Sequence, residues 1–140
     1  MNRKHFLGNM AALIGGISVP IKRSLAAGAD EELVYKKPPF LKKGDAIGIT
    51  APAGWITPEE IQPAVQIMES WGYKIVRGDT IGKKDFTFGG TDEERLNDLQ
   101  KMLDDPTIKA IMCARGGYGS VRIVDRIDWT KFKAHPKWII

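Results

Sequence analysis

Short apolar runs alternate with two helices whose starts carry capping boxes, and this alternation constrains the fold more than any other feature. Thr57 and Thr91 each stand three residues before a glutamate, Glu60 and Glu94, and this is the pattern of a capping box. Four apolar runs are predicted strands, at 45–50, 73–76, 109–114 and 138–140. Alternating strands and helices form a parallel sheet with right-handed crossovers. The sequence therefore predicts an α/β fold, a parallel sheet flanked by helices of the Rossmann-like or flavodoxin-like kind.

The ends of the helices are also predicted. The first helix stops at Gly72, and Asp105-Pro106 ends the second. A shorter helix is predicted from Ser120 to Ile127, followed by a polar loop. The loop at 77–89, of about 13 residues, is long for a connection between a strand and a helix, and long loops are often functional.

A glycine-dense turn follows the third predicted strand and carries the residue of greatest chemical interest. Glycines at 116, 117 and 119 precede Ser120. Glycine permits dihedral angles and close approaches that a side chain forbids. We therefore expect the Ser120 hydroxyl at the carboxyl edge of the sheet, beside the start of a helix.

The residues alone leave three interpretations of Ser120 open. A nucleophile needs a base and backbone N–H groups that stabilise an oxyanion, and the candidate donors are Val121 and either Gly89 or Gly90. An N-cap would be purely structural. An anion site would bind phosphate at the helix start, although neither common phosphate-binding glycine motif is present. The hydrolase motif Gly-x-Ser-x-Gly is also absent, since Arg122 replaces its last glycine.

Neighbouring residues of the turn are candidate substrate contacts. Tyr118 is expected either to line a pocket or to pack within the turn, with Gly117 beside it. Arg115 and Arg122 match the geometry of a substrate carboxylate, or else are solvated charges beside a helix.

Neither histidine of the chain is placed to act as the base. His5 lies in the predicted leader, and His135 lies in the polar loop before the fourth strand. The single cysteine, Cys113, excludes an internal disulfide and a Cys/His zinc cluster, and we expect it to be a small buried apolar residue.

The net charge of +4 resides in the first 29 residues. Without the four basic residues of that segment, the chain holds 17 basic and 17 acidic side chains. This balance gives no support to nucleic-acid binding, which usually needs a basic face on the folded domain.

Residues 1–29 have the pattern of an export signal. A basic start, an apolar stretch at 11–20 and small residues at 27–29 follow one another, and the stretch is too short to span a membrane. The segment resembles a twin-arginine signal, with Arg3-Lys4 in place of the arginine pair. An uncleaved or disordered leader is the alternative. Residues 30–43 are predicted to be a linker, and 44–140 an incomplete domain, because the chain ends inside an apolar run.

Three stretches in order resemble the N-terminal domain of the LD-carboxypeptidase family, which includes muramoyl-tetrapeptide carboxypeptidases and microcin C immunity peptidases. They lie at 41–52, 88–95 and 114–122. The resemblance implies a Ser-Glu-His triad with Ser120 as nucleophile, Glu and His in a C-terminal domain beyond residue 140, and no metal or cofactor. It implies that the enzyme removes the terminal D-alanine of murein tetrapeptides, and that this chain alone is inactive or nearly so.

Two other functions remain open at this point. One is a non-catalytic peptidoglycan- or anion-binding module, and the other is an immunity-type peptidase acting on a peptidyl-nucleotide antibiotic. Many murein-recycling members are cytoplasmic, so a functional export signal predicts a periplasmic or cell-surface enzyme instead. We expect a murein peptide as partner, membrane contact only during export, and no nucleic acid; a homodimer is left open.

Overall fold

A parallel sheet with the strand order β2-β1-β3-β4 organises residues 36–140, the part of the chain that this computed structural model describes. Its strands are β1 (Ala46–Thr50), β2 (Lys74–Arg77), β3 (Ile108–Cys113) and β4 (Trp138–Ile139). Strand β1 pairs with β2 on one side and β3 on the other, and β4 pairs with β3. The predicted α/β parallel sheet is confirmed.

The first two crossovers are the capped helices that the sequence predicts. They are α1 (Pro58–Ser70) and α2 (Asp92–Asp104). In both capping boxes the threonine hydroxyl accepts from the glutamate N–H at 3.2 Å, and the glutamate carboxylate accepts from the threonine N–H at 2.9 Å. These contacts span only three residues, so the sequence carries them directly.

The third crossover differs from the prediction. The segment expected to be one helix from 120 to 127 forms two 3₁₀ turns, Tyr118–Arg122 and Val124–Arg126, and the polar loop after it contains a short helix, α3 (Thr130–Ala134). Ile123 and Ile127 are buried against α2 and β3. Packing of these two isoleucines therefore outweighs local helical preference, which is a weak determinant.

Each face of the sheet has its own apolar core. On one face α1 packs against β1, and the buried residues there include Ile47, Ile49, Ile61, Val65 and Met68. On the other face α2 packs against β3, with Leu99, Met102, Leu103, Ile108 and Ile111. The two helices thus lie on opposite faces, and their N-terminal ends both lie at the carboxyl edge of the sheet.

A buried carboxylate joins α2 to this edge. Asp98 accepts from the hydroxyl of Thr50 at 2.7 Å, from the hydroxyl of Thr80 at 2.5 Å and from the N–H of Asp79 at 2.8 Å. Thr50 ends β1, and Thr80 belongs to the long loop after β2. The beginning of that loop is therefore held by α2.

The leader predicted at 1–29, with His5, lies outside the described residues, as does the first part of the predicted linker. Residues 36–42 have no regular secondary structure, and the carbonyl of Pro39 accepts from the indole N–H of Trp138 at 2.9 Å. Within residues 36–140, no helix combines the length and the apolar character needed to cross a membrane.

Replacement of Asp98 by asparagine tests the buried network. The asparagine amide replaces one acceptor oxygen by an NH₂ group, which faces the hydrogen-bond donors that Asp98 binds. At least one buried donor therefore loses its acceptor, and the free energy of unfolding falls by about 1–3 kcal/mol. Asp104→Asn in the same helix is the matched control, because Asp104 is partly exposed, where it pairs with Lys131 and accepts from the side chain of Gln100. Loss of the ion pair is expected to cost about 0–1 kcal/mol. Urea unfolding followed by circular dichroism measures both. Equal losses in the two variants would contradict the role given to Asp98.

Candidate active site

Ser120 is the third residue of the 3₁₀ turn Tyr118–Arg122, which follows β3 at the carboxyl edge of the sheet. Its side chain is half-buried, and among residues 36–140 its hydroxyl has no hydrogen-bond partner. The residue in the cap position is Gly117, and no side chain caps the turn. The interpretation of Ser120 as an N-cap is therefore wrong, because the turn begins before the serine rather than at it.

Two of the three glycines in the turn are required by its geometry. Gly117 has φ of +138°, a conformation that residues with a side chain rarely adopt. A Cβ on Gly119 would lie 2.9 Å from the Cα of Ala53 and 2.9 Å from the ring of Phe88. Gly116 has neither constraint, since a Cβ there would meet no atom within 4 Å.

Arg95, in the first turns of α2, is completely buried, and its guanidinium joins three segments around the serine turn. Its Nη1 donates to the carbonyl of Pro52 at 2.5 Å and to that of Gly119 at 2.7 Å. Its Nε donates to the carbonyl of Gly90 at 3.1 Å, and Nη2 pairs with Asp92. The loop after β1, the start of α2 and the residue before Ser120 therefore meet at one side chain.

Asp92 also binds the far side of the turn. Its two carboxylate oxygens each accept from Arg122 Nε at 3.0 Å, and Arg122 Nη2 lies 2.8 Å from one of them. These hydrogen bonds from Arg122 hold the pKa of Asp92 below its usual range. Both guanidinium groups also lie over the ring of Phe88, that of Arg95 at 4.8 Å from the ring centroid and that of Arg122 at 5.6 Å.

Arg95 is not among the site residues predicted from the sequence, although its position in the sequence indicated that it would be buried. Arg95 lies four residues before Leu99 and seven before Met102, so it shares the core-facing side of α2 with them. A charged residue at such a position is almost never buried without partners. Its place in the apolar stripe therefore indicated a buried polar cluster.

The candidate oxyanion donors differ in whether their N–H groups already have an acceptor. The N–H of Gly89 donates to the carbonyl of Ala53 at 3.0 Å, so Gly89 is already engaged. Gly90 is buried, and its N–H has no acceptor within residues 36–140. Because Gly90 and Gly119 bind the same guanidinium, Gly90 lies beside the serine turn. Val121 directly follows Ser120 and its side chain is exposed.

The predicted substrate contacts differ in their surroundings. Gly117 and Tyr118 line an open pocket of about 280 Å³ together with Gly54 and Phe88, and the Tyr118 side chain is exposed. Arg115 instead pairs with Glu60 at 3.0 Å, at the start of α1. Arg115 as a substrate contact stays a prediction.

His135 and Cys113 lie where they contribute no base to the turn. His135 stands between α3 and β4, so it lies at the amino edge of the sheet, opposite Ser120. Cys113 ends β3 and is half-buried rather than fully buried as expected, and burial raises the pKa of its thiol. Residues 36–140 contain no cluster of three or more His, Cys, Asp or Glu side chains that could hold a metal ion.

Comparison with known proteins agrees with this geometry. Residues 47–140 match the family model of the LD-carboxypeptidase N-terminal domain. The "Probable murein peptide carboxypeptidase" of Bacillus subtilis (strain 168) is 38% identical over 101 residues, which are 72% of this chain and 32% of that protein. The chain thus spans about a third of the length of such curated relatives.

Solved structures share the same fold. The microcin C7 self-immunity protein in complex with aspartyl sulfamoyl adenosine is 30% identical with a TM-score of 0.62, over 73% of this chain and 31% of that one. The muramoyltetrapeptide carboxypeptidase from Oxalobacter formigenes is 28% identical with a TM-score of 0.59, over 67% of this chain and 31% of that one.

The matched range contains Arg95, the residues it binds, Ser120 and all four strands except Ala46, the first residue of β1. The resemblance drawn from the three sequence motifs is confirmed. The chain belongs to the LD-carboxypeptidase family, and residues 47–140 correspond to the N-terminal domain of that family.

Proposed function

We propose that this chain supplies the nucleophile domain of a serine-type LD-carboxypeptidase and that Ser120 is the nucleophile. The observation that carries the proposal is the Ser120 hydroxyl, which has no hydrogen-bond partner among the described residues, although Arg95 binds the carbonyl of the residue before it and Asp92 binds the side chain of Arg122 after it. One solved structure of the microcin C7 self-immunity protein is an active-site mutant in which a serine, an asparagine and a lysine are changed to alanine. A serine in the active site of a structural relative supports the assignment.

The proposed reaction is acyl transfer through a covalent intermediate. Ser120 Oγ attacks the carbonyl carbon of the bond before the terminal D-alanine, and a base takes the hydroxyl proton. The N–H groups of Val121 and Gly90 stabilise the oxyanion. The base then returns the proton to the departing amine of D-alanine, and water hydrolyses the acyl-enzyme. In this proposal the base and its partner are the His and Glu of the Ser-Glu-His triad, supplied by residues outside 36–140, because His135 lies at the opposite edge.

The proposed substrate is a murein tetrapeptide. The name of the Bacillus subtilis relative and that of the "Murein tetrapeptide carboxypeptidase" of Pseudomonas aeruginosa, 31% identical over 88 residues, support this choice. Gly117 and Tyr118 line the pocket in which the peptide would lie. The predicted leader extends the proposal to wall peptides outside the cytoplasm.

Loss of the hydroxyl tests the nucleophile. In the whole protein, Ser120→Ala is expected to abolish labelling by a fluorophosphonate probe and to lower kcat for D-alanine release by about 10⁶-fold, as in a serine protease without its nucleophile. Ser70→Ala is the matched control, because Ser70 is exposed at the end of α1 and its hydroxyl donates only to the carbonyl of Ile67. Unchanged labelling in Ser120→Ala would contradict the assignment of the nucleophile, whereas a wild-type protein that takes no label would favour the non-catalytic module.

An immunity-type activity is the second candidate, and the self-immunity protein bound to aspartyl sulfamoyl adenosine favours it. The two activities are separated by kcat/KM on a murein tetrapeptide and on a peptidyl-adenylate. When a site forms hydrogen bonds to polar groups that only one of two substrates has, kcat/KM for that substrate is higher by about 10⁴-fold or more. We expect the tetrapeptide to be preferred, and a preference for the adenylate would contradict the proposed substrate.

Cys113 provides a test that distinguishes serine from cysteine chemistry. Burial raises the pKa of its thiol above the usual value of about 8.5, so at pH 7 the reactive thiolate is scarce. Iodoacetamide at pH 7 is expected to leave Cys113 largely unmodified, and the rate of alkylation is expected to rise about tenfold per pH unit until the pH passes that pKa. Mass spectrometry of the labelled peptide measures this. Rapid alkylation at pH 7 with parallel loss of activity would contradict the assignment of Ser120.

A further inference from the structure

The first turn of α2 anchors the serine turn on both sides of the serine. Arg95 binds the carbonyl of Gly119, the residue before Ser120. Asp92 binds the guanidinium of Arg122, two residues after Ser120. The serine is therefore held between two contacts that come from residues one helical turn apart on the same helix.

The same guanidinium also fixes the proposed oxyanion donor. Arg95 Nε binds the carbonyl of Gly90 while Nη1 binds that of Gly119. A guanidinium is planar, and its N–H groups diverge at fixed angles. The group therefore sets the distance between the backbone that carries the Gly90 N–H and the backbone that carries the Ser120 hydroxyl.

Other arginines near the turn do not have this arrangement. Arg126 pairs with Glu93 at 2.9 Å, and Arg115 pairs with Glu60 at 3.0 Å, with all four side chains about half exposed or more. Neither arginine donates to a backbone carbonyl in the described part of the chain. Arg95 is completely buried and donates to three.

We propose that Arg95 is a positioning residue that places the Ser120 hydroxyl against the Gly90 N–H and thereby controls the rate of acylation. The proposal rests on the assignment of Ser120 as nucleophile. It predicts an effect on kcat rather than on KM, because Arg95 is completely buried and is not one of the residues that line the pocket beside Tyr118.

Arg95→Lys in the whole protein tests the proposal. Lysine keeps the charge but lacks the planar fork, so the carbonyls of Gly90 and Gly119 are no longer bound in a fixed relation. A displacement of about 1 Å near the reacting atoms costs about 10²-fold in rate. We expect the rate of fluorophosphonate labelling and kcat to fall by about that factor, with KM unchanged. Arg126→Lys is the matched control and should change neither.

A second measurement does not depend on catalysis. Amide hydrogen exchange at Ser120 and Ile123, whose N–H groups bond within the turn, should accelerate in Arg95→Lys. Exchange at His135, whose N–H bonds to the carbonyl of Lys131, should not change. If Arg95→Lys does not fold, as judged by circular dichroism, Asp92→Asn replaces it, because Asp92 pairs with both arginines.

The outcomes separate the two proposals. Wild-type protein without label on Ser120 overturns the proposed function, and amide exchange then still decides whether Arg95 positions the turn. If the wild-type protein is labelled on Ser120 and the folded Arg95→Lys variant is labelled at the same rate, the positioning role of Arg95 is overturned. A variant with higher KM and unchanged kcat also overturns it, since that result would place Arg95 in substrate binding.

Discussion

The contact between the buried guanidinium of Arg95 and three backbone carbonyls is the interaction on which the rest of the site depends. A buried charge is costly unless its donors are paired, and here they bind Pro52, Gly90 and Gly119 with Asp92 as counter-ion. The loops depend on the guanidinium in turn, because without it these three carbonyls would lie buried without hydrogen-bond donors. Loops and helix are therefore interdependent.

Helix α2 is consequently more than a crossover between strands. Arg95 and Asp98 lie on its core-facing side, one turn apart, and both are buried. Asp98 accepts hydrogen bonds from the last residue of β1 and from the beginning of the loop after β2, whereas Arg95 donates to the loops around Ser120. One helix thus binds the segments at the carboxyl ends of β1, β2 and β3. The carboxylate of Asp98 accepts from the first two, and the guanidinium of Arg95 donates to the loops after β1 and β3.

This arrangement explains how the turn presents a hydroxyl without the usual hydrolase elbow. Gly117 supplies the positive φ, and Gly119 supplies the close approach to Phe88 and Ala53. Arg95 binds the backbone before the serine and Asp92 binds the side chain of Arg122 after it, so the Ser120 hydroxyl itself has no partner among the described residues.

The sequence by itself determined the alternation of strands and helices, the two capping boxes and the place of Ser120 after β3. Those features depend on hydrophobic patterning and on contacts across three or four residues, which a sequence displays directly. Only the tertiary structure decided that 118–126 forms 3₁₀ turns, that the Gly89 N–H already has an acceptor, and that Arg95 joins the loops around Ser120. The physical reason is range: Arg95 binds carbonyls 43 and 24 residues away, and such contacts exist only after α2 has packed on the sheet.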